Sequence, residues 1–218
     1  MLQSEHYLGK NGEKYFQWQN KGEIIGKIEA RKFQKYIKVT DVVLDFGCGN
    51  GSTLNEINAF KKLGIEINPS AVAEIANNYR NISIFPKVEN IESNYIDKIF
   101  SNHALEHTLD PFAILQNFHR ILKNDGLIIL CLPINDWRNE RQYKGNDINN
   151  HLYTWTPLLI GNLLKEAGFN NIESFIYTHA WPKNWQKWFN YNQKIFDLLA
   201  FFSSIRKKRR QLFAIASK

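Results

Sequence analysis

The stretch Val42-Val43-Leu44-Asp45-Phe46-Gly47-Cys48-Gly49-Asn50-Gly51 constrains this chain more than any other. A nearly continuous apolar run reads as a strand buried on both faces, and it enters three glycines at alternate positions before a helix-forming segment. Glycine permits a sharp turn and lets a ligand lie against bare main chain, while the following helix offers free N–H groups. A bound small molecule accounts for this economically. The competing reading is a tight strand-to-helix turn without a ligand, but three glycines cost more conformational entropy than such a turn requires.

Spacing separates the ligand classes. A dinucleotide fingerprint runs G-x-G-x-x-G with an acid about 20 positions on. Here Ser52 follows Gly51, so the third glycine comes one residue early, and Asp45 lies inside the first strand. Glu66 closes the second expected strand, where it can accept hydrogen bonds from two ribose hydroxyls, as any adenosine-type cofactor requires. No G-x-x-x-x-G-K-[ST] phosphate loop is present, which removes nucleotide hydrolysis.

From Asp41 to Pro133 short apolar runs alternate with helix-period segments, the pattern of a parallel sheet wound with helices. Strands are expected at Val42–Phe46, Leu63–Ile67, Ile82–Phe85, Lys98–Ser101 and Leu127–Leu132, with helices at Thr53–Phe60, Ser70–Tyr79 and Pro111–Leu122. Asp110 caps the last of these, Pro111 opens it and Gly126 follows its end. A helix at Thr156–Ala167, a strand at Ile172–Tyr177 and a final edge strand at Gln211–Ser217 complete the pattern. Residues 1–40 are expected as a helical leader or cap, 41–218 as the main domain, and 178–209 as a helical insertion. In that insertion Trp185, Trp188, Ile195, Phe196, Leu199 and Phe202 share one helical face. Such a stripe serves packing against the host domain, a lid or homodimer surface, or shallow membrane docking through 184–210.

These residues resemble the class I S-adenosylmethionine-dependent methyltransferases, particularly the broad group acting on small molecules. The resemblance spans Asp41 to Lys218 and rests on the glycine segment, on Gly64-Ile65-Glu66-Ile67, on Ser101-Asn102-His103-Ala104-Leu105-Glu106-His107, on Leu122-Lys123-Asn124-Asp125-Gly126 and on Trp155 with Ala167-Gly168-Phe169. It implies an α/β, Rossmann-like, doubly wound seven-stranded sheet, mostly parallel with an antiparallel last strand. It also implies S-adenosylmethionine as cofactor and S-adenosylhomocysteine as product. Gly47, Cys48, Gly49 and Gly51 would cradle the methionine part, Asp45 would orient its ammonium, Glu66 would grip the ribose and Ile67 would flank the adenine. The family places an acid after the third strand, where this chain has Lys87, so Val88 or Glu89 would serve through a shift of one or two residues. The Asn102 main chain would lie near the activated methyl.

Methyl transfer is a displacement at carbon, so the protein mainly positions, and a base is needed only where the nucleophile holds its proton. His103 and His107 after the fourth strand and His151 before Trp155 are the candidate bases, histidine being suited to neutral pH. Glu106 reads as structural within its loop, Cys131 as a small core residue and Cys48 as chosen for size. No metal set is assigned. Asp136, Trp137, Arg138, Tyr143, His151, Tyr153 and Trp155 form the mixed polar and aromatic segment expected to bind the acceptor. Carbohydrate hydroxyls suit it, and His151-Leu152-Tyr153-Thr154-Trp155-Thr156-Pro157 resembles segments of methyltransferases of surface-polysaccharide pathways.

Composition bears on the alternatives. The 218 residues carry a net charge of +7, but five of the positive charges sit together at Arg206–Arg210. A nucleic-acid protein spreads its potential over a groove, and the fourth-strand segment Ser-Asn-His-Ala differs from the Pro-Pro-Tyr type used on base amines, so RNA methylation ranks low. The remaining alternatives are a lipid or quinone acceptor at a membrane surface and an inactive cofactor-binding interaction subunit. Two cysteines and an N-terminus without an apolar signal core fit a reducing cytoplasm, with the inner membrane face as a peripheral location. No run approaches the ~20 apolar residues of a membrane span.

Overall fold

The computed structural model describes residues 4–19, 23–134 and 142–218. Seven strands form one sheet in the order β3-β2-β1-β4-β5-β7-β6. They are β1 (Val42–Phe46), β2 (Lys61–Ile65), β3 (Ile82–Phe85), β4 (Ile96–Asn102), β5 (Leu122–Pro133), β6 (Asn170–Tyr177) and β7 (Gln211–Ser217). β7 runs antiparallel to both β5 and β6, and the other neighbours are parallel. This is the helix-wound sheet that the pattern predicts, with the seven strands and reversed last strand that the resemblance implies.

The helices are α1 (Gly9–Gln19), α2 (Glu23–Gln34), α3 (Ser52–Glu56), α4 (Pro69–Asn78), α5 (Pro111–Ile121), α6 (Pro157–Glu166), α7 (Trp185–Tyr191) and α8 (Gln193–Lys207). Strand alternation assigns them to two layers. Leu44, Ile99, Ile128 and Leu130 pack with Phe118 of α5 and Leu164 of α6. Val43, Phe100, Ile129 and Cys131 pack with Phe33 of α2, Leu54 of α3 and Ile75 of α4. Strand order reverses at β1, which has β2 on one side and β4 on the other. The crevice outside the carboxyl ends of β1 and β4 is therefore where such a sheet binds ligands.

Several expected boundaries move. β2 begins two residues early because the amides of Phe60 and Lys61 both pair with the Asp41 carbonyl, so Glu66 leaves the strand. α3 stops at Glu56, since Ile57 turns extended and sinks its side chain into the core. α5 ends at Ile121 and passes directly into β5, so Gly126 lies within a strand rather than after a helix. The expected caps hold: Asp110 accepts from the Ala113 amide at 3.0 Å and Pro111 opens α5.

Two larger expectations fail. β7 is interior, not an edge, because it is apolar on both faces: Leu212, Ala214 and Ala216 face one core and Phe213 the other. The edge falls to β6, whose Phe175 and Ile176 are exposed. The insertion is two helices rather than one amphipathic rod. Asn192 goes extended between them and its side chain accepts from the amides of Lys194 and Ile195. The buried positions are then Phe189, Phe196, Ala200 and Ser204, with Ile195 and Phe202 turned outward.

Phe33 ties α2 to the sheet by stacking on Phe100 at 4.8 Å and contacting Phe213 at 5.9 Å, fully buried. Phe33→Ala should cost ~3–5 kcal/mol, measured by denaturant unfolding, the penalty of an unfilled core cavity.

Candidate active site

The turn after β1 adopts the conformation its glycines allow. Gly47, Gly49 and Gly51 all have positive φ, at 73°, 54° and 77°. A Cβ on Gly47 would meet the Ala104 Cβ at 2.3 Å, so the turn admits no side chain there. The amides of Gly47 and Cys48 donate to the Ile65 carbonyl, which stitches the turn to the end of β2. Glu66 completes the seam: Oε2 accepts from the Gly49 amide, and Oε1 from the amides of Ile67 and Asn68, each at 2.8 Å. Gly51 packs against Ile75 and lines neither cavity at this end of the sheet.

Two adjoining cavities share Phe16, Gln19, Gly47 and Gly49 and form one cleft. Asp45, Cys48 and Asn102 line its inner part, and Glu66, Ile67 and Val88 its outer part with Lys87. Glu89 is exposed and outside the lining, so of the two residues expected to stand in for the acid after the third strand only Val88 lines the cleft. Burial drives the Asp45 carboxyl well above the ordinary carboxylate range, and the charge of Glu66 adds to this. Burial raises Glu66 too, against the pull of its three amide bonds. Among the described residues no ion pair reaches either carboxylate.

The leader supplies residues that the sequence reading did not name. Ser4, Tyr7, Tyr15, Phe16 and Gln19 line the cleft, and so do Ile25 and Glu29 of α2. Glu29 Oε2 accepts from the Asn102 amide nitrogen at 2.9 Å and from Lys32 Nζ at 2.6 Å. Burial opposes the Glu29 charge, but Lys32 prevails and holds the carboxyl below its usual range. Asn102 Oδ1 is buried without a hydrogen-bond partner, so an acceptor is left over at the inner part of the cleft. The only sequence signal for Glu29 was its place on the inward side of a helix-period segment.

The three candidate histidines meet around one buried carboxylate. Glu106 is fully buried, and its Oε1 lies 3.5 Å from His103 Nδ1, 4.0 Å from His107 Nε2 and 3.9 Å from His151 Nε2. Donor atoms of Glu106, His107 and His151 all fall within 4.8 Å of one another. His103 sits at φ 56°, a left-handed turn that swings its ring off β4. The Tyr7 hydroxyl lies 2.7 Å from His107 Nδ1 and 2.9 Å from the Asn149 carbonyl. A carbonyl can only accept, so the single hydroxyl proton goes to Asn149 and His107 Nδ1–H donates to Tyr7. The lone pair is then on Nε2.

The environments push the two pocket histidines apart. Burial lowers His107 below 6.5 in spite of Glu106, with the neighbouring histidines adding to it. Burial also opposes charge on His103, but contacts with Cys131 and Glu106 outweigh it and raise this group to about 10. At neutral pH His107 is a free base, while His103, whose Nε2 also lies 2.8 Å from Gln211 Nε2, is the histidine whose charge Glu106 favours. His103 and His107 line the cleft; His151 stands behind, its ring 4.8 Å from that of His107.

The expected acceptor segment is only partly at the site. Tyr143 is 95% exposed and lines neither cavity. Trp155 is 5% exposed and belongs to the core between sheet and α6, which the apolar bulk of indole favours over a wet pocket. Tyr153 stacks on Trp155 at 5.8 Å and donates to the Leu109 carbonyl at the cleft rim. Asp136, Trp137 and Arg138 lie outside the described residues.

Comparison with known proteins gives a consistent picture. Residues 7–174 match a family model described as a methyltransferase domain. A curated protein of Methanocaldococcus jannaschii, described as uncharacterized, is 28% identical over 147 residues, which is 65% of this chain; the match spans 57% of that relative's length. A structure titled as a SAM-dependent methyltransferase from Archaeoglobus fulgidus superposes with a TM-score of 0.66 at 18% identity, covering 94% of this chain and 99% of that one. Phosphoethanolamine N-methyltransferase 2 of Haemonchus contortus, solved with S-adenosyl-L-methionine, gives 0.65 at 17% identity over 98% of this chain and 58% of that one.

A carboxyl whose pKa is raised by folding binds its proton more tightly in the native state, so it takes away stability as pH climbs past its unfolded value, near 3.8 for Asp45. Asp45→Asn should therefore raise Tm at pH 7, by ~2–4 °C per kcal/mol recovered. The gain should shrink as pH falls toward 4, which thermal unfolding across pH would display.

Proposed function

This chain belongs to the S-adenosylmethionine-dependent class I methyltransferases, and we propose that its acceptor is a small polar molecule methylated at a hydroxyl or amine, a sugar or glycan precursor or a related metabolite. The residues present fit the cofactor. Two buried carboxylates with no paired cation among the described residues, and the spare Asn102 oxygen, suit a ligand that brings an ammonium and a sulfonium. Asp45 and Asn102 would hold the ammonium end, the bare backbone of Gly47 and Gly49 the chain beyond it, and Ile67 with Val88 the adenine. A carboxylate offers about four acceptor sites, and Glu66 already uses three on main-chain amides. It therefore has room for one ribose hydroxyl rather than the expected two. Bound there, S-adenosylmethionine supplies an activated methyl whose leaving group needs no acid.

The observation that carries the acceptor class is the Glu106-centred histidine cluster on the wall of the same cleft. A nucleophile that attacks without losing a proton has no use for it. His107 Nε2, neutral and held by Tyr7 through its other nitrogen, takes the proton of a hydroxyl or ammonium. Glu106 stabilises the imidazolium that forms, and His103 compensates the buried carboxylate while His107 is neutral. His151 stays a candidate for the same task through its contact with Glu106. The basic run Arg206–Arg210 lines neither cavity, so the cleft lends the nucleic-acid reading no support.

Turnover of methyl-labelled S-adenosylmethionine against sugar nucleotides, free sugars and small amines tests the acceptor. With the acceptor that responds, His107→Ala should lower kcat by ~10²–10⁴-fold and leave cofactor Kd unchanged. The wild-type kcat should fall on the acid side through an inflection below 6.5, because the base form is lost as His107 protonates. A chelator should leave the rate unchanged. An unaltered kcat in His107→Ala would end the base assignment, and loss of activity on chelation would reassign Glu106, His107 and His151 to a metal.

A further inference from the structure

α8 is apolar on two opposite faces. Phe196, Ala200 and Ser204, spaced by four, face inward, and Phe196 packs with Phe189 and with Ile28 of α2. Ile195, Leu198, Phe201, Phe202 and Ile205 lie on the other side, 38–57% exposed. Ala200 is two residues, or roughly 200° of helix rotation, from both Leu198 and Phe202. The inner face alone accounts for the folding of α8. An outer strip of two phenylalanines, one leucine and two isoleucines is left exposed, with no covering partner among the described residues.

Charge decides what covers it. Directly after Ile205 come Arg206, Lys207, Lys208, Arg209 and Arg210, all exposed. Residues 178–218 contain nine basic side chains and one acidic one, Asp197, which is already paired with Arg31 at 2.6 Å. Lys207 donates to the Trp181 carbonyl, and the other four cations stay at the surface. A second copy of this face would bring two such clusters together about a symmetry axis and repel. A surface that is apolar below its headgroups and negative above them satisfies both halves.

We propose that the outer face of α8 docks this enzyme on an anionic lipid bilayer, with Leu198, Phe201, Phe202 and Ile205 entering the acyl boundary and Arg206, Lys208, Arg209 and Arg210 meeting the headgroups. No helix among the described residues is long and apolar enough to cross a membrane, so the contact is peripheral. It also reaches the catalytic cleft mechanically. α2 packs on α7 and α8 through Ile28 and the Arg31–Asp197 bridge, and places Ile25 and Glu29 in the cleft wall. The docked face and the cleft thus share one helix. The proposal does not depend on the acceptor class argued above.

Flotation of the full chain with vesicles tests it. The chain should float with phosphatidylcholine vesicles carrying roughly one-third phosphatidylserine, and at least about tenfold less with phosphatidylcholine alone or in high salt. Leu198→Glu with Phe202→Glu should abolish flotation, and Arg209→Glu with Arg210→Glu should weaken it about tenfold or more, while both pairs keep wild-type cofactor Kd as proof of folding. Failure to float on anionic vesicles, or flotation indifferent to Leu198 and Phe202, would overturn the proposal. A sedimentation dimer that dissolves on the same apolar substitutions would overturn it in favour of a second copy.

Discussion

The seam between the glycine turn and the end of β2 is the constraint on which the site depends. Three positive-φ glycines let the chain leave β1 sharply, and the turn is then fastened by the Ile65 carbonyl and the Glu66 carboxylate. Glycine supplies the conformation and the carboxylate supplies its rigidity. The outcome is main chain exposed to a cleft at the point where strand order reverses, with Asp45 held buried beneath it and in no ion pair among the described residues. Glu66 is thus a structural tie, with one acceptor site left for the proposed ribose contact.

The second organising element is a buried polar chain that joins the leader to the chemistry. Lys32 bonds Glu29, Glu29 bonds Asn102, and Asn102 precedes His103, whose ring meets Gln211 and Glu106. Groups so deeply buried are costly unless paired, and the Glu29–Asn102 and His103–Gln211 links join elements distant in sequence. Burial lowers the proton affinity of His107 against the pull of Glu106, while Cys131 and Glu106 together raise that of His103. Two like residues four apart in sequence therefore take different roles by environment alone.

Local chemistry made much of this readable beforehand. The glycine spacing, the alternation of apolar runs and the Asp110-Pro111 start are short-range signals, and they yielded β1, β3, α5 and the sheet class. The aromatic stripe of the insertion misled, since a periodicity count cannot see that Asn192 will cap a new helix and rotate the pattern. Trp155 misled for a related reason: an aromatic beside polar residues looks like a binding side chain until the core claims it. β7 looked like an edge because it came last, though Ala214 and Ala216 already had the small apolar character of a strand covered on both sides.

What the amino-acid sequence determined by itself was the turn, the layer pattern and the candidate groups, because those follow from φ/ψ freedom, hydrophobic period and side-chain chemistry within a few residues. Only the tertiary structure decided that Glu29 reaches Asn102, that Tyr7 selects the His107 tautomer, and that His103, His107 and His151 converge on Glu106. Those contacts join residues up to 100 positions apart, and burial, which shifts each proton affinity, exists only once the chain has closed around them.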